Sequence, residues 1–247
     1  MLDVFFLSYN EPYADENYVR LKELVPNARR VNGVKGFAAA HQECARRSFT
    51  NNFYVVDSDA IVVEDFDFNY TPSKYNTWWY TPESNFICVW SSINPINDLI
   101  YGHGGVKILP KQPLLCDNKD VIDFTTGFGL NTKIFNTVSN VTAFNYDEFN
   151  TFRSAFRECA KLAANLTNKE ILDKLNTDEI IKLNNEAEHR LNVWTTVGKD
   201  RRFGEHCIIG ACQGQKYGLQ YKDNADLLKL INDYEWMMNE FNRFFRK

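Results

Sequence analysis

Two carboxylates one residue apart, Asp57 and Asp59, follow a short apolar run at Phe53 to Val56. The run is aromatic and β-branched, which is typical of a buried parallel strand. Carboxylates at the end of such a strand are costly to bury unless a cation pairs with them. Mg²⁺ and Mn²⁺ prefer oxygen ligands, and Mg²⁺ commonly takes one or two carboxylates together with substrate phosphates. The D-x-D motif therefore predicts a metal–diphosphate site, and the simpler alternative is an exposed acidic turn.

The candidate third metal ligand is His206, because a neutral imidazole suits Mn²⁺. A structural or exposed histidine is the alternative. The six cysteines lack metal-like spacing, so we expect them to be reduced and mostly buried thiols.

A polar turn, Ser8-Tyr9-Asn10-Glu11, ends the first predicted strand. Open α/β sheets bind ligands at the carboxyl ends of their strands, so this turn could contact a nucleotide base and ribose. Further along, Lys35 and Gly36 precede a helix that contains His41, and a helix N-terminus beside a lysine favours phosphate. The alternatives are an ordinary Asn-Glu-Pro turn and a surface lysine and histidine. The predicted donor-binding residues are Ser8, Tyr9, Asn10, Glu11, Lys35, Gly36, His41 and Ser58.

Other residues could serve an acceptor. Gly104-Gly105 permits positive φ and a close approach of the backbone to a ligand. Arg153 and Arg157 share one predicted helical face, where they could bind phosphates or form a solvated basic face. A general base needs a carboxylate within hydrogen-bond reach of the acceptor hydroxyl. The candidates are Asp98, Asp123, Glu148 and Glu158, and Asp123 is preferred because it ends a strand candidate before a Thr/Gly loop.

The elements that must position these residues alternate along the first part of the chain. Strand, helix, strand, helix and strand predict a parallel α/β arrangement with right-handed crossovers. The predicted strands are Asp3–Tyr9, Ala28–Val34 and Asn52–Val56, and the helices between them are Asp15–Val25 and Phe37–Arg47. Phe86–Ser91 and Val121–Gly129 are further strand candidates. Helices are predicted from about Asn150 onward, most clearly over Ala225–Phe245.

The composition is that of a globular protein with a proper core, with 44% hydrophobic and 24% charged residues in a chain of 247. A net charge of −4 gives no bulk attraction to nucleic acid, so DNA binding would need a local basic face. No apolar run approaches the roughly 18 residues that span a bilayer, and we expect no membrane partner. The start lacks a basic region and a cleavage site, which predicts no signal peptide and a cytoplasmic location.

Three segments, SYNEP at 8–12, GVKGFAAAH at 33–41 and FYVVDSDAIV at 53–62, occur in this order. Together they resemble the nucleotide-sugar-dependent glycosyltransferases of the GT-A fold. The resemblance implies a Rossmann-type, mostly parallel central sheet flanked by helices, with a helical C-terminal part. It implies that the first turn receives a nucleoside-diphosphate sugar, such as a UDP-sugar. It also implies that Asp57, Asp59 and His206 hold Mn²⁺ or Mg²⁺, which neutralises charge on the leaving diphosphate.

The resemblance extends to YGHGGVK at 101–107, which is similar to a loop where sugar and acceptor meet in some members. The acceptor or sugar residues implied are Trp90, Tyr101, Gly104, Gly105, Lys107, Arg153 and Arg157. We expect residues 1–135 to form the nucleotide-sugar-binding core. Residues 136–247 would form a mainly helical extension that completes the acceptor side, within a single compact unit.

A narrower similarity concerns 89–107 and 150–159, VWSSINPINDLIYGHGGVK and NTFRSAFREC. These look like segments of phage-encoded hydroxymethylcytosine glucosyl- or arabinosyltransferases. The acceptor implied is a hydroxymethylated base in double-stranded DNA, modified in the host cytoplasm. Such a base would be flipped from the duplex, and Trp78-Trp79-Tyr80 could stack on it or pack in the core. The acidic net charge departs from this pattern.

Other interpretations stay open. The acceptor could be a glycan or a protein instead of DNA. The x-E-D signature of many inverting enzymes is missing unless Glu64-Asp65 represents it, so inverting and retaining chemistry both remain possible. A sugar-nucleotidyltransferase would also hold a metal through carboxylates. It normally has a Gly-rich basic loop after the first strand, however, and the segment SYNEPYADEN lacks one. A non-catalytic binding module is the third alternative.

Overall fold

The computed structural model describes residues 1–75, 82–116, 130–164 and 177–246. The chain divides into two compact units. The first unit comprises Met1–Asn94 and Ile100–Ala143, and the second comprises Pro95–Leu99 and Phe144–Lys247. The candidate base Asp123, the strand candidate at Val121–Gly129 and the aromatic stretch at Trp78–Tyr80 lie outside the described residues.

The first unit is an α/β structure built on one seven-stranded sheet. Its strands are β1 (Asp3–Ser8), β2 (Arg29–Asn32), β3 (Asn52–Asp57), β4 (Ala60–Val62), β5 (Ile87–Ile93), β6 (Ile100–Pro110) and β7 (Thr132–Thr142). They lie in the order β2-β1-β3-β6-β5-β7-β4. The helices of this unit are α1 (Ala14–Leu24), α2 (Phe37–Arg47) and α3 (Lys111–Cys116), with a 3-10 turn at Glu83–Asn85.

The predicted parallel start of the sheet is confirmed. Strand β1 pairs in parallel with both β2 and β3, and a helix connects each strand to the next. The rest of the sheet is mixed, because β6 runs antiparallel to β3 and to β5. The short connection from Asn94 to Leu99 joins β5 to β6 as a hairpin, and such a connection requires antiparallel strands. The segment YGHGGVK is therefore part of a strand and not a loop.

The sheet curls at its last strands. Ala60 pairs with Thr142 of β7, although it follows the end of β3 directly. The register shifts at Trp90 and Ser91 in both pairings of β5, and residues 103–106 of β6 lie opposite Trp90 alone. Bulges of this kind bend a sheet and increase its twist. The curl therefore brings β4, the strand after the D-x-D turn, to the far edge of β7.

Both faces of the sheet are buried, which explains the continuous apolar run of β3. Tyr54 and Val56 face one core cluster, and Phe53 and Val55 face the other. Alternate residues of a strand point to opposite faces, so a strand covered on both sides needs apolar residues throughout. The strand can then place its final residue, Asp57, at the edge of the sheet.

The second unit is helical. Its helices are α4 (Glu148–Ala163), α5 (Thr177–Thr196), α6 (Gly204–Tyr221), α7 (Ala225–Lys229) and α8 (Tyr234–Phe245), with a 3-10 turn at Leu230–Asn232. The predicted single helix over Ala225–Phe245 is wrong, because the Asp233 side chain accepts a hydrogen bond from Trp236 N and starts α8 separately. None of the described helices is long and apolar enough to cross a membrane.

Helices α4 and α6 pack closely through glycines. A Cβ on Gly214 would lie 2.1 Å from the carbonyl oxygen of Phe156, and Gly210 and Gly218 are similarly placed. The glycines of α6 therefore serve helix packing. Cys44, Cys88, Cys159, Cys207 and Cys212 are free thiols.

Candidate functional site

The carboxyl ends of β1 and β3 bring the two predicted turns to one edge of the sheet. Leu7 is the register partner of Asp57, so the turn after Ser8 and the D-x-D turn leave the sheet side by side. The D-x-D turn is held from two elements: Asn17 of α1 donates to the carbonyl oxygen of Ser58 at 2.8 Å, and Ala143 N donates to that of Asp59 at 2.7 Å. The sequence predicted this convergence correctly.

A buried lysine is the principal partner of Asp57. Lys107 Nζ donates to Oδ1 of Asp57 at 2.8 Å and to Oδ2 at 2.7 Å. It also donates to the carbonyl oxygen of Gly104 at 2.7 Å. The Lys107 side chain is only 5% exposed, whereas that of Asp57 is 34% exposed. Asp57 therefore faces the protein cation on one side and solvent on the other.

Asp59 has a different electrostatic environment. Burial, followed by the charges of Asp57 and Glu11, raises the pKa of Asp59 to about 7, and Lys107 opposes this rise. Within the described part of the chain, no lysine, arginine or histidine forms an ion pair with Asp59. Burial also raises the pKa of Asp57, against the opposing effect of Lys107. The turn therefore carries more negative charge than its protein surroundings neutralise.

The two carboxylates fit a hard divalent cation. Asp57 and Asp59 supply oxygen atoms alone, and no described lysine, arginine or histidine forms an ion pair with Asp59. Such a pair is what Mg²⁺ takes from a protein when substrate phosphates complete its shell. A larger preformed cage is not seen, since the described residues contain no group of three or more His, Cys, Asp or Glu side chains placed to hold a metal.

His206 belongs to the second unit. Its Nε2 lies 3.8 Å from Oε2 of Glu148, and its ring lies 4.4 Å from that of Phe245. These contacts are those of a half-buried histidine packed within the helices. Its predicted role as a metal ligand stays a prediction.

The donor-side residues divide into internal and exposed ones. The Ser8 hydroxyl is buried, donates to Oδ1 of Asn32 at 2.8 Å and accepts from Nε of Arg30 at 2.8 Å. Tyr9 and Asn10 are exposed, and Tyr9 N donates to the Glu11 carboxylate at 2.7 Å. Ser8 therefore shapes the turn, while the two residues after it remain accessible to a ligand.

Arg30 and Asn32 were not predicted as site residues. Both lie on β2, where a run of apparently ordinary polar residues, RRVN, gave no catalytic pattern. The parallel register that pairs Ser8 with Asn32 places them at the edge. Only this register, which the sequence does not specify locally, could have identified them.

Lys35 and Gly36 lie before α2, as predicted, and both are exposed. Gly36 has a φ of +92°, which favours glycine at the entry to the helix. His41 differs from the prediction. It is buried, its Nδ1 lies 2.7 Å from the carbonyl oxygen of Phe37, and burial together with Lys107 lowers its pKa to about 3. His41 is thus a neutral histidine beneath the site.

The predicted acceptor residues of β6 are mostly internal. Gly104 has the expected positive φ, at +84°. A Cβ on Gly105 would lie 2.7 Å from Nδ2 of Asn140, so this glycine allows β7 to approach β6. Tyr101 is buried, and Lys107 points to Asp57. The close approach that Gly105 permits is therefore to the protein's own strand, whereas a Cβ on Gly104 would meet nothing within 4 Å.

Trp90 is a core residue. Its ring stacks on Phe135 at 4.7 Å with an interplanar angle of 13°, and on Tyr54 at 5.6 Å with an angle of 28°. Phe66 meets it edge-on. Because Trp90 is 5% exposed, it offers little surface to an acceptor.

A buried polar network adjoins the glycine segment and was missed by sequence reasoning. Ser139 Oγ donates to Oδ1 of Asn140 at 2.8 Å, and Asn140 Nδ2 donates to Oγ1 of Thr142 at 3.2 Å. Thr142 Oγ1 in turn donates to Oγ of Ser92 at 3.1 Å. Strand β7 was not predicted, because the segment TVSNVT at 137–142 contains several polar residues. Its valines and threonines, which favour strands, were the available signal.

The remaining predicted residues lie in the second unit. Arg157 Nη2 donates to Oδ1 of Asn232 at 2.8 Å, and the guanidinium of Arg153 lies 5.8 Å from the ring centre of Tyr234. Of the alternative bases, Asp98 pairs with Arg201 at 3.0 Å, and Glu158 pairs with Arg190. Both arginine contacts and the Glu158–Arg190 pair join helical segments of this unit, whereas the Asp98–Arg201 pair is exposed and joins two connecting segments.

No family model matches the chain, and neither the curated proteins nor the solved structures contain a match to it. Its function must therefore be inferred from the site itself.

Proposed function

We propose that this protein is a metal-dependent glycosyltransferase. It would move a sugar from a nucleoside-diphosphate sugar, for which we propose a UDP-sugar, to an acceptor hydroxyl. The supporting observation is the excess of negative charge at the carboxyl ends of β1 and β3. There burial, Asp57 and Glu11 raise the pKa of Asp59 to about 7, and Lys107 is the cation that opposes them.

Asp57 and Asp59 would hold Mg²⁺ or Mn²⁺ in this proposal. When bound, the cation would neutralise the charge that develops on the leaving nucleoside diphosphate. The exposed turn at Tyr9 and Asn10 would contact the nucleotide, and the exposed Lys35 before α2 would attract its phosphates. The charge of the D-x-D turn, its position at the sheet edge and the exposure of Tyr9, Asn10 and Lys35 thus all support donor binding at this edge.

For the acceptor we propose a hydroxymethylated base in double-stranded DNA. This part rests on the similarity of the segments at 89–107 and 150–159, with Asp123 as the proposed general base. Among the residues predicted for the acceptor, Trp90 lies in the core, and Arg153 and Arg157 contact neighbours within the second unit. A glycan or a protein hydroxyl is the alternative acceptor.

The metal requirement is tested with Asp59→Asn and with a chelator. We expect the rate of UDP-sugar hydrolysis or transfer to fall by at least about 100-fold in the variant, because the cation contributes several kcal/mol to the transition state. A chelator should abolish wild-type activity, and added Mn²⁺ should restore it. Asp223→Asn, at an exposed position of the second unit, is the matched control and should retain full activity. Unchanged activity in Asp59→Asn and in chelator would refute the proposal.

The acceptor is tested by mass spectrometry. Hydroxymethylated and unmodified DNA of the same sequence are incubated with the protein, Mn²⁺ and a panel of nucleotide sugars. A mass increase of one sugar on the hydroxymethylated DNA alone is the expected result. No change on either DNA, together with transfer to a glycan or protein hydroxyl, would replace DNA as the acceptor and keep the donor chemistry.

A further inference from the structure

Lys107 is bound in a way that distinguishes it from a ligand-binding lysine. An ammonium group has three donors and no acceptor. The Nζ of Lys107 meets three oxygens at 2.7 to 2.8 Å, two from Asp57 and one from Gly104. With its side chain 5% exposed, it has neither a spare donor nor access to solvent. It therefore cannot reach a phosphate or a sugar directly.

The backbone of β6 is shaped to hold this lysine. Val106 and Lys107 pair with Val56 and Val55 of β3, so the lysine begins beside the strand that ends in Asp57. Gly104 interrupts the regular strand with a φ of +84°, within the bulge opposite Trp90. Its carbonyl oxygen is directed to the ammonium at 2.7 Å. The glycine thus supplies the third partner of Lys107.

The charges of the site follow from this arrangement. Lys107 cancels the charge of Asp57, so the carboxylate pair offers a divalent cation one net negative charge instead of two. The ammonium stays in place when a cation arrives, because it is buried on the inner side of Asp57 while the outer side faces solvent. A cation on the outer side would therefore be repelled by a fixed positive charge, and a diphosphate would compensate that repulsion.

We propose that Lys107 is a positioning residue that holds Asp57 and lowers the affinity of the carboxylate pair for a free divalent cation, so that the cation is retained chiefly together with a nucleoside diphosphate. This inference rests on the proposed function and adds an order of assembly to it. The site would be poorly loaded by metal alone and would load metal and nucleotide cooperatively.

The test measures Mn²⁺ affinity by titration calorimetry, without any turnover, for the wild type and for Lys107→Met. We expect Lys107→Met to bind Mn²⁺ alone roughly tenfold more tightly. The substitution removes the repulsion, screened as in water, between the unit charge of the ammonium and the divalent cation. The gain in Mn²⁺ affinity that UDP produces should be correspondingly smaller in the variant. Lys111→Met is the matched control, because Lys111 donates to the carbonyl oxygen of Ser48 and has no carboxylate partner in the described chain. It should bind Mn²⁺ like the wild type.

Equal or weaker binding of Mn²⁺ by folded Lys107→Met would overturn the inference. If that variant does not fold, the wild type alone decides: the inference requires that Mn²⁺ and UDP together raise the melting temperature by more than the sum of their separate effects, and additive shifts contradict it. Failure of the proposed function gives a different result, since Mn²⁺ and UDP would then bind neither the wild type nor Lys107→Met.

Discussion

At the two ends of the parallel strands β1 and β3 in the first unit, a carboxylate has opposite electrostatic surroundings. At the amino end, Asp3 pairs with Arg29 at 3.0 Å and accepts hydrogen bonds from the backbone nitrogens of Phe49 and Thr50 and from the Ser48 hydroxyl. Burial alone would raise the pKa of Asp3, yet these partners hold it below the ordinary value. At the carboxyl end, the pKa of Asp59 rises to about 7.

The difference separates a structural carboxylate from one that awaits a ligand. Asp3 contributes to stability because the fold completes its hydrogen bonds and its charge pair. Asp59 lowers stability while it is ionised, because burial and the neighbouring Asp57 and Glu11 are not compensated. Proteins retain such an unfavourable group where a bound partner later compensates it. The direction of the pKa shift therefore distinguishes a structural carboxylate from a ligand-binding one better than the number of acidic residues at either end does.

The largest effect that this comparison predicts is ligand-dependent. At about one hundred times its Kd, a Mn²⁺–UDP complex should stabilise the wild type by about 2.7 kcal/mol. Asp3→Asn should gain the same amount, and Asp59→Asn should gain almost nothing. Urea unfolding with and without the ligands measures all three. Equal stabilisation of Asp59→Asn would show that the carboxyl end of the sheet does not bind the complex through this residue.

The next effect is the loss of stability in Asp3→Asn. An amide cannot replace the ion pair with Arg29: with its oxygen in the place of Oδ2, which accepts from Phe49 N and Thr50 N, its NH₂ group would face the Arg29 guanidinium. We expect a cost of about 2 kcal/mol, since hydrogen bonds to charged groups contribute more than neutral ones. Urea unfolding in chelator measures the cost, with Asp223→Asn as the exposed control. A loss equal to that of the control would mean that the amino-end network is not structural.

Asp59→Asn should change stability in the opposite direction. In chelator at pH 8 the wild-type carboxylate is ionised, and the amide removes that unfavourable charge without changing the size of the side chain. We expect a gain of about 1 kcal/mol after allowance for screening by water. A loss of stability instead would mean that Asp59 already has a compensating partner, which would weaken the case for a cation there.

The parts of the fold predicted from sequence are those with strong local signals. Helix α2 runs from Phe37 to Arg47 as predicted, because its alanines favour a helix between a glycine and the following turn. Strand β3 was recognised by its unbroken apolar run, which buries both faces. Strand β6 was not recognised, because three glycines lower strand propensity and only pairing with β3 and β5 overrides this.

The same reasoning explains which site residues were found. The D-x-D turn and the turn at Ser8 are local patterns, and the parallel register of β1 and β3 brings them together. The contact between Lys107 and Asp57 joins residues 50 positions apart, and it depends on the register of β6 and on the conformation of Gly104. A pattern of residue types could suggest a role for Lys107 near a sugar, but only the pairing of strands identifies its partner.

The smallest effects are those of pH, and they distinguish the two carboxylates by sign. Folding raises the pKa of Asp59 from 3.8 to about 7, so the native protein binds this proton more tightly than the unfolded chain does. Its favourable contribution is therefore complete below about pH 4 and is lost as the pH rises towards about 7. The advantage of Asp59→Asn over the wild type in chelator should be near zero at pH 4 and reach its full value above pH 7.

Asp3, with a lowered pKa, must show the reverse: the cost of Asp3→Asn should be constant above pH 4 and shrink as the pH falls further. Urea unfolding across this range measures both curves, and parallel curves for the two variants would remove the distinction between the ends of the sheet.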